Sequence, residues 1–565
     1  MHNLLILFFV IAMLFVYLMQ ARRSRTSQSH NDPDRFFLSR DHSKEEYGST
    51  QTAYFLQMAT VYPFFIFGFT GAWWLGFWNT AFYAIGIAFF YWMLPRFTQG
   101  AIDLVGRSST PHALIANAHR MPALRIFASW LSITAFIGLA LFEIVWGATA
   151  LKAILGGNRY LYSLSIAVLA LYLVAVLWTG GQRATIKTAQ YQLLIAYIGL
   201  HLLTAWAISQ AGGSIGIVDA PVLFLFIFIF GSVAIWRRLS RLDQDGSKQL
   251  KILNLLAILS LMVVLLTIVF TPDFFTATVY SSPTIKAPSH WGLMLFTLAC
   301  LPLVFQFVDM TNWQRLSSLT GNKHRVLREA KDGLIFYLIE SPLSWLFPIA
   351  IGMLAAHFVT PKPGADPWVT LIDQVVALPG GIGGIVSVAT VVGVLCIFLS
   401  TADELLTAGG YAFAYDVHPK TRHIMDRAHG LTSGDTPTSD DLLQVVQTGK
   451  MATSAAIILA VILYIVLDNI EPALGTGLLG FFLTFYSPML SFAPSILVPA
   501  LSGRAANHWV SLASMAISAS AGIGIGFYSL VSTDEIWQWL GVPVCFVASW
   551  AIYLAGLFLG TRKIN

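Results

Sequence analysis

Ser400-Thr401-Ala402-Asp403-Glu404 lies inside an apolar segment that runs from about Ile382 to Tyr415. Hydroxyls and carboxyls at such depth are costly in lipid, and polar groups so placed line a path or a site. Hydroxyl and carbonyl oxygens are also the ligands that a small hard cation takes. The chemistry in view is Na+ binding within a membrane. The plain alternative is that both hydroxyls bond back to carbonyls one turn earlier.

Other polar residues interrupt apolar runs. Glu143, Glu340, Asp403 and Glu404 are candidate proton carriers, cation ligands or substrate contacts, since an acid in lipid is either neutral or paired. A helix-to-helix hydrogen bond is the bland account of Glu143 and Glu340, and packing that of His201. Gln306 and Asp309 close another run and are candidate substrate contacts. Trp73 and Trp74 belong to an interfacial aromatic belt or wall the outer side of a substrate cavity.

The composition says what must carry these residues. Of 565 residues, 56% are hydrophobic and 11% charged, and mean hydropathy is +0.70. A soluble chain would be about a quarter charged. Continuous apolar runs predict helices across a bilayer of roughly 30 Å. Fifteen are expected, at 3–20, 52–77, 79–95, 122–152, 160–179, 185–210, 221–237, 250–271, 291–309, 333–358, 382–412, 450–468, 475–500, 506–531 and 537–560. The first ends on Arg22, Arg23 and Arg25 without a cleavage pattern and is expected to be retained. With the N-terminus outside, Arg96, Arg107, Arg183, Arg237, Arg238, Arg315, Lys331, Arg562 and Lys563 fall in cytoplasmic loops. Asp219, Asp468, Glu471, Asp534 and Glu535 fall outside. The C-terminus is then cytoplasmic, and the cell (inner) membrane is the expected location. The net charge of +5 reflects these loops and implies no nucleic-acid partner. Cys300, Cys396 and Cys545 read as packing residues. No polar stretch is large enough for an enzyme domain; the longest, 416–449, reads as a cytoplasmic loop, and no nucleotide-binding fingerprint is present.

The expected organisation is an N-terminal span and loop (1–50), a five-helix repeat (51–210), two inserted spans (211–290), a second five-helix repeat (291–500) and two C-terminal spans (501–565). Pro63 in the first helix of one repeat and Pro302 in that of the other suggest the interrupted helices of inverted-repeat transporters.

Four stretches carry a resemblance to the sodium:solute symporter family. They are Asp34-Arg35-Phe36-Phe37-Leu38-Ser39-Arg40, Gly180-Gly181-Gln182-Arg183-Ala184-Thr185, Asp309-Met310-Thr311-Asn312-Trp313-Gln314-Arg315, and Phe398 to Leu406 with the terminal Tyr415-Asp416-Val417. Their order and spacing cover about 30–500. The resemblance implies an all-α, leucine-transporter-type 5+5 inverted-repeat core and Na+-driven uptake of a small polar solute by alternating access. It also implies a sodium site between the first and eighth core helices, with ligands Ser400, Thr401 and the Ile397 carbonyl. A looser alignment adds the carbonyls of Ile66 and Phe69. Many relatives have an aspartate where this chain has Ala189, which favours one sodium per cycle. Proton coupling through Glu143, Asp403 or Glu404 is the alternative transport reading, and a membrane sensor built on such a domain is a third. Substrate and oligomeric state stay open.

Overall fold

The computed structural model describes residues 2–24, 32–38, 44–98, 110–147, 149–155, 159–211, 221–239, 248–270, 290–319, 323–362, 365–474, 478–532 and 534–563. Arg25, Ser39, Arg40, Arg107 and Asp219 lie outside these, as do the side chains of Asp468, Glu471, Arg562 and Lys563.

Apolar runs become helices because lipid offers the backbone no other partner. The chain starts with α1 (His2–Ser24) and short α2 (Pro33–Phe37). The next helix comes in two pieces, α3 (Lys44–Phe55) and α4 (Met58–Phe69). Then follow α5 (Trp73–Met93), α6 (Pro111–His119), α7 (Pro122–Gly147), α8 (Thr149–Ile154) and the 53-residue α9 (Arg159–Ala211). Within α9, Gly181 has φ 56° and ψ −150°, so two helices meet there. Only glycine takes that conformation without strain, and the Gly180-Gly181 turn of the sequence is this junction.

Two inserted helices, α10 (Pro221–Leu239) and α11 (Lys248–Phe270), precede a second broken pair, α12 (Trp291–Val308) and α13 (Met310–Ser318). The chain continues through α14 (Lys323–Ala355), α15 (Pro367–Val376), α16 (Ile382–Ala412), α17 (Pro419–Ala428), α18 (Ser439–Leu474), α19 (Leu478–Leu490) and α20 (Ala493–Ser502). It closes with α21 (His508–Val531) and α22 (Ile536–Leu559). A two-stranded ribbon, β1 (Arg504–Ala506) antiparallel to β2 (Thr561–Lys563), ties the end to the turn before α21.

Among the described residues, twelve helices are long and apolar enough to cross a bilayer. The fifteen spans expected from the sequence also count α9 as two and include α10 and the α3–α4 pair. This is a multi-pass membrane protein. The inserted pair is fastened to the core by polar contacts. Arg238 of α10 donates to Glu340 of α14 at 2.8 Å and lies over the Tyr197 ring of α9, while His201 of α9 meets Ser260 of α11 at 2.9 Å. Arg238 is therefore no solvated loop base, and Glu340 makes the helix-to-helix contact.

The first break falls at Leu56-Gln57 and not at Pro63, which sits inside α4. The second falls at Asp309, seven residues past Pro302. Run 52–77 is consequently not one span: Trp73 and Trp74 open α5, half-buried. Gly68 and Gly352 let α4 and α14 approach backbone to backbone, since a Cβ on either would overlap a carbonyl oxygen of the other helix.

Candidate functional site

The site begins with the broken first helix. In a continuous helix the Met58 N–H would bond to Tyr54 O and that of Ala59 to Phe55 O. Instead both go to Glu143, reaching in from α7: Met58 N donates to Oε2 at 2.9 Å and Ala59 N to Oε1 at 3.0 Å. Gln57, the N-cap of α4, makes no side-chain cap of its own. A buried carboxylate thus satisfies two orphan donors and complements the positive end of α4. Its consequence lies on the other side of the break, where Tyr54 O is released from the helix.

That released carbonyl faces the hydroxyl pair. Thr401 Oγ1 is 3.5 Å from Tyr54 O, and Ser400 Oγ is 3.4 Å from Ala53 O. Both hydroxyls also lie close to Ile397 O, at 3.0 Å from Ser400 and 3.2 Å from Thr401. Five oxygens from α3 and α16 therefore converge in the buried core. The back-bonding geometry is present, and it belongs to the same cluster that faces α3.

The Ile66 and Phe69 carbonyls are not part of this convergence. Ile66 O accepts from the Thr70 amide at 2.9 Å and the Thr70 hydroxyl at 2.8 Å, in the last turn of α4. That turn lies about 12 Å of helix rise beyond Met58. The first-repeat carbonyls beside the hydroxyl pair are those of Ala53 and Tyr54, because the chain breaks before Pro63.

At the second break Asp309 caps its own helix, accepting from Thr311 N at 3.0 Å and Thr311 Oγ1 at 2.5 Å. Gln306 is held by Tyr337 (3.0 Å) and by the Asn312 amide (3.0 Å), so both candidates shape the break. Arg315 on α13, read from sequence as a loop base, is buried. It pairs with Glu404, donates to Gln51 Oε1 on α3 at 2.9 Å and covers the Tyr54 ring. Asp403, on another face of α16, is buried, and its Oδ1 has no hydrogen-bond partner among the described residues.

Two closures flank the breaks. At one end α13, α3, α2 and α16 are joined by the Arg315–Glu404 pair and by Gln314, which donates to Phe37 O at 2.7 Å. At the other, Tyr62 of α4 stacks on Trp146 of α7 with centroids 3.6 Å apart and donates to Asp366, before α15, at 2.6 Å. Beside the start of α4 lies a narrow, half-open cleft with internal room for about 40 Å³. Its lining includes Thr60, Phe64, Phe67, Tyr83, Tyr486 and Trp539. Trp73 and Trp74 are not among its described lining residues. Trp539, from α22, was invisible to sequence reasoning because it lies outside both repeats.

A second polar cluster also escaped the sequence. Asp416, at a wide turn of π-helix ending α16, accepts from Arg125 Nε (2.5 Å), Thr110 (2.9 Å) and Ser129 (3.0 Å) and meets His112 Nδ1 (2.8 Å). Arg125 also bonds Asp426 and Tyr415 O, each at 2.8 Å, which clamps α7 to α16 and α17. The terminal aspartate of the resemblance motif was the signal, though its partners were not foreseeable.

No protein-family model matches the chain, and no curated protein matches it in sequence. Solved structures do match. One is a Na+-coupled sialic acid symporter in a substrate-bound outward-open state, reported to reveal a novel Na+ site. It is 16% identical, with a TM-score of 0.62, over 100% of this chain and 99% of that one. The likeness is one of fold: an all-α, leucine-transporter-type inverted-repeat core with additional helices.

Proposed function

We propose that this protein is a secondary active transporter that couples Na+ entry to uptake of a small solute by alternating access. The observation that carries the reading is the meeting of two hydroxyls on α16 with carbonyls that the α3–α4 break has freed. Ser400, Thr401 and the carbonyls of Ile397, Ala53 and Tyr54 would hold the ion, and they fit it because every donor is an uncharged hard oxygen. The ligands come from helices of opposite repeats, so ion occupancy favours arrangements in which α3 stays against α16. The Arg315–Glu404 pair lies one turn further along α16 and blocks one exit. Tyr62, Trp146 and Asp366 restrict the other. One charge moving inward supplies about 2.3 kcal/mol per 100 mV, besides its concentration gradient.

One sodium per cycle is the stoichiometry we favour, since the fully buried Ala189 brings no oxygen from its side chain. The N-terminus is assigned outside and the C-terminus to the cytoplasm. Proton coupling has one observation behind it, the buried and unpartnered Oδ1 of Asp403.

Uptake into proteoliposomes under an imposed Na+ or proton gradient tests the reading. The expected result is acceleration by Na+. Ser400→Ala with Thr401→Ala should raise the Na+ concentration for half-maximal rate at least about tenfold, the loss of roughly 1.4 kcal/mol of binding. Uptake that ignores Na+ and follows pH would establish proton coupling instead. An unchanged Na+ requirement in the double variant would remove the ligand assignment.

A further inference from the structure

Resting on the transport reading, we infer that the solute carried is a small organic cation, recognised in the aromatic cleft between α4, α5, α12, α19 and α22. Three observations converge. The cleft wall is aromatic, with Phe64, Phe67, Tyr83, Tyr486 and Trp539 around it. An aromatic ring attracts a cation that comes within about 6 Å of its face by about 0.5–2 kcal/mol.

No basic side chain is among the described lining residues. An anionic solute would have no guanidinium or ammonium there to meet it. Two acids adjoin the cleft. Glu143 bonds the amide of Ala59, itself a lining residue, and Asp309 lies within electrostatic reach of Tyr83 and Tyr486.

The third observation concerns the end of α4. A half-helix N-terminus beside a transport cleft is a natural seat for a substrate's anionic group. In this protein the N–H groups of Met58 and Ala59 are already taken by Glu143. A carboxylate on the solute would have to displace an internal carboxylate of the same charge. The helix end that could select anions is already occupied.

The test uses three probes of nearly equal shape: choline, its uncharged isostere 3,3-dimethyl-1-butanol and the anion 3,3-dimethylbutyrate. Each is titrated into the purified full-length protein in Na+ buffer, with tryptophan fluorescence and thermal stability as readouts. Choline should give a saturable response with an affinity about tenfold or more above the neutral isostere, within the range such contacts reach, and the anion should give none. Trp539→Leu should erase the preference for charge, and Trp539→Phe should keep it. Equal or tighter binding of the neutral or anionic probe overturns the inference, as does the absence of any saturable response to choline. Stabilisation by Na+ without solute is measured in parallel and should vanish in the Ser400→Ala, Thr401→Ala variant. If that Na+ effect is absent from the wild type the ion reading fails, whatever the probes show; if it is present and choline is silent, only the solute class fails.

Discussion

The two broken helices have the same architecture and different causes. The α12–α13 break is local: Asp309 leaves the helical conformation and caps the helix that follows with its own side chain. The α3–α4 break is tertiary. Its N-cap is an uncapping glutamine, and the two donors at the end of α4 are satisfied by Glu143, 85 residues away. The difference teaches where the oxygen cluster gets its shape. A carbonyl freed by a distant carboxylate exists only when α7 and α4 are packed together, so the first repeat builds its half of the oxygen cluster only in the assembled bundle.

Replacing Glu143 should therefore have the largest effect. Glu143→Leu leaves two buried N–H groups without acceptors, each costing about 1–3 kcal/mol. Thermal unfolding in detergent should show a marked loss of stability, and the stabilisation by Na+ should disappear because nothing holds the Tyr54 carbonyl free. Glu143→Gln keeps one acceptor oxygen and should fall between. If Glu143→Leu retains the Na+-dependent shift, the link from carboxylate to carbonyl is wrong.

Arg315 comes next, because it joins the two breaks through Gln51 and Glu404. Arg315→Ala strands a buried acid, a change that typically costs about 3–5 kcal/mol. The pair replacement Arg315→Met with Glu404→Leu should recover most of that stability while leaving the exit ungated. A double variant as unstable as the single would show that the pair does more than satisfy its own charges.

A smaller loss is expected from Asp309→Ala, about 0.5–2 kcal/mol for one local cap, with Na+ affinity nearly unchanged. A cost as large as that of Glu143→Leu would erase the asymmetry between the breaks. The smallest effect is that of Tyr62→Phe, which removes one hydrogen bond worth about 0.5–1.5 kcal/mol and leaves the stack on Trp146. It should bias the protein toward opening on the Asp366 side, read as faster thiol labelling of a Thr60→Cys reporter. No change in labelling would mean that this closure depends on the stack alone.

Several elements were open to reading from residues alone. Hydropathy marked out the apolar helices, because lipid forces every backbone polar group into a helix and a crossing needs about twenty apolar residues. The hydroxyl pair could be read because polar side chains stand out in an apolar run, and the resemblance added Ile397, which helical spacing places on the same face. The Gly180-Gly181 junction was legible as the gap between two apolar runs and through the resemblance, and glycine suits the positive φ found there. The proline at 63 misled: a membrane helix tolerates proline when neighbours satisfy the freed groups, and α4 runs through it.

Sequence by itself determined that this is a helical membrane protein with a polar pair inside one of its apolar helices, since those follow from solvent and periodicity. Tertiary structure decided where the first helix breaks, which carbonyls meet Ser400 and Thr401, that Arg315 and Arg238 are buried partners of Glu404 and Glu340, and that Trp539 joins the cleft. The physical reason is common to all of these. Each depends on whether a buried donor, acceptor or charge finds its complement, and the complements lie on helices far apart in the chain.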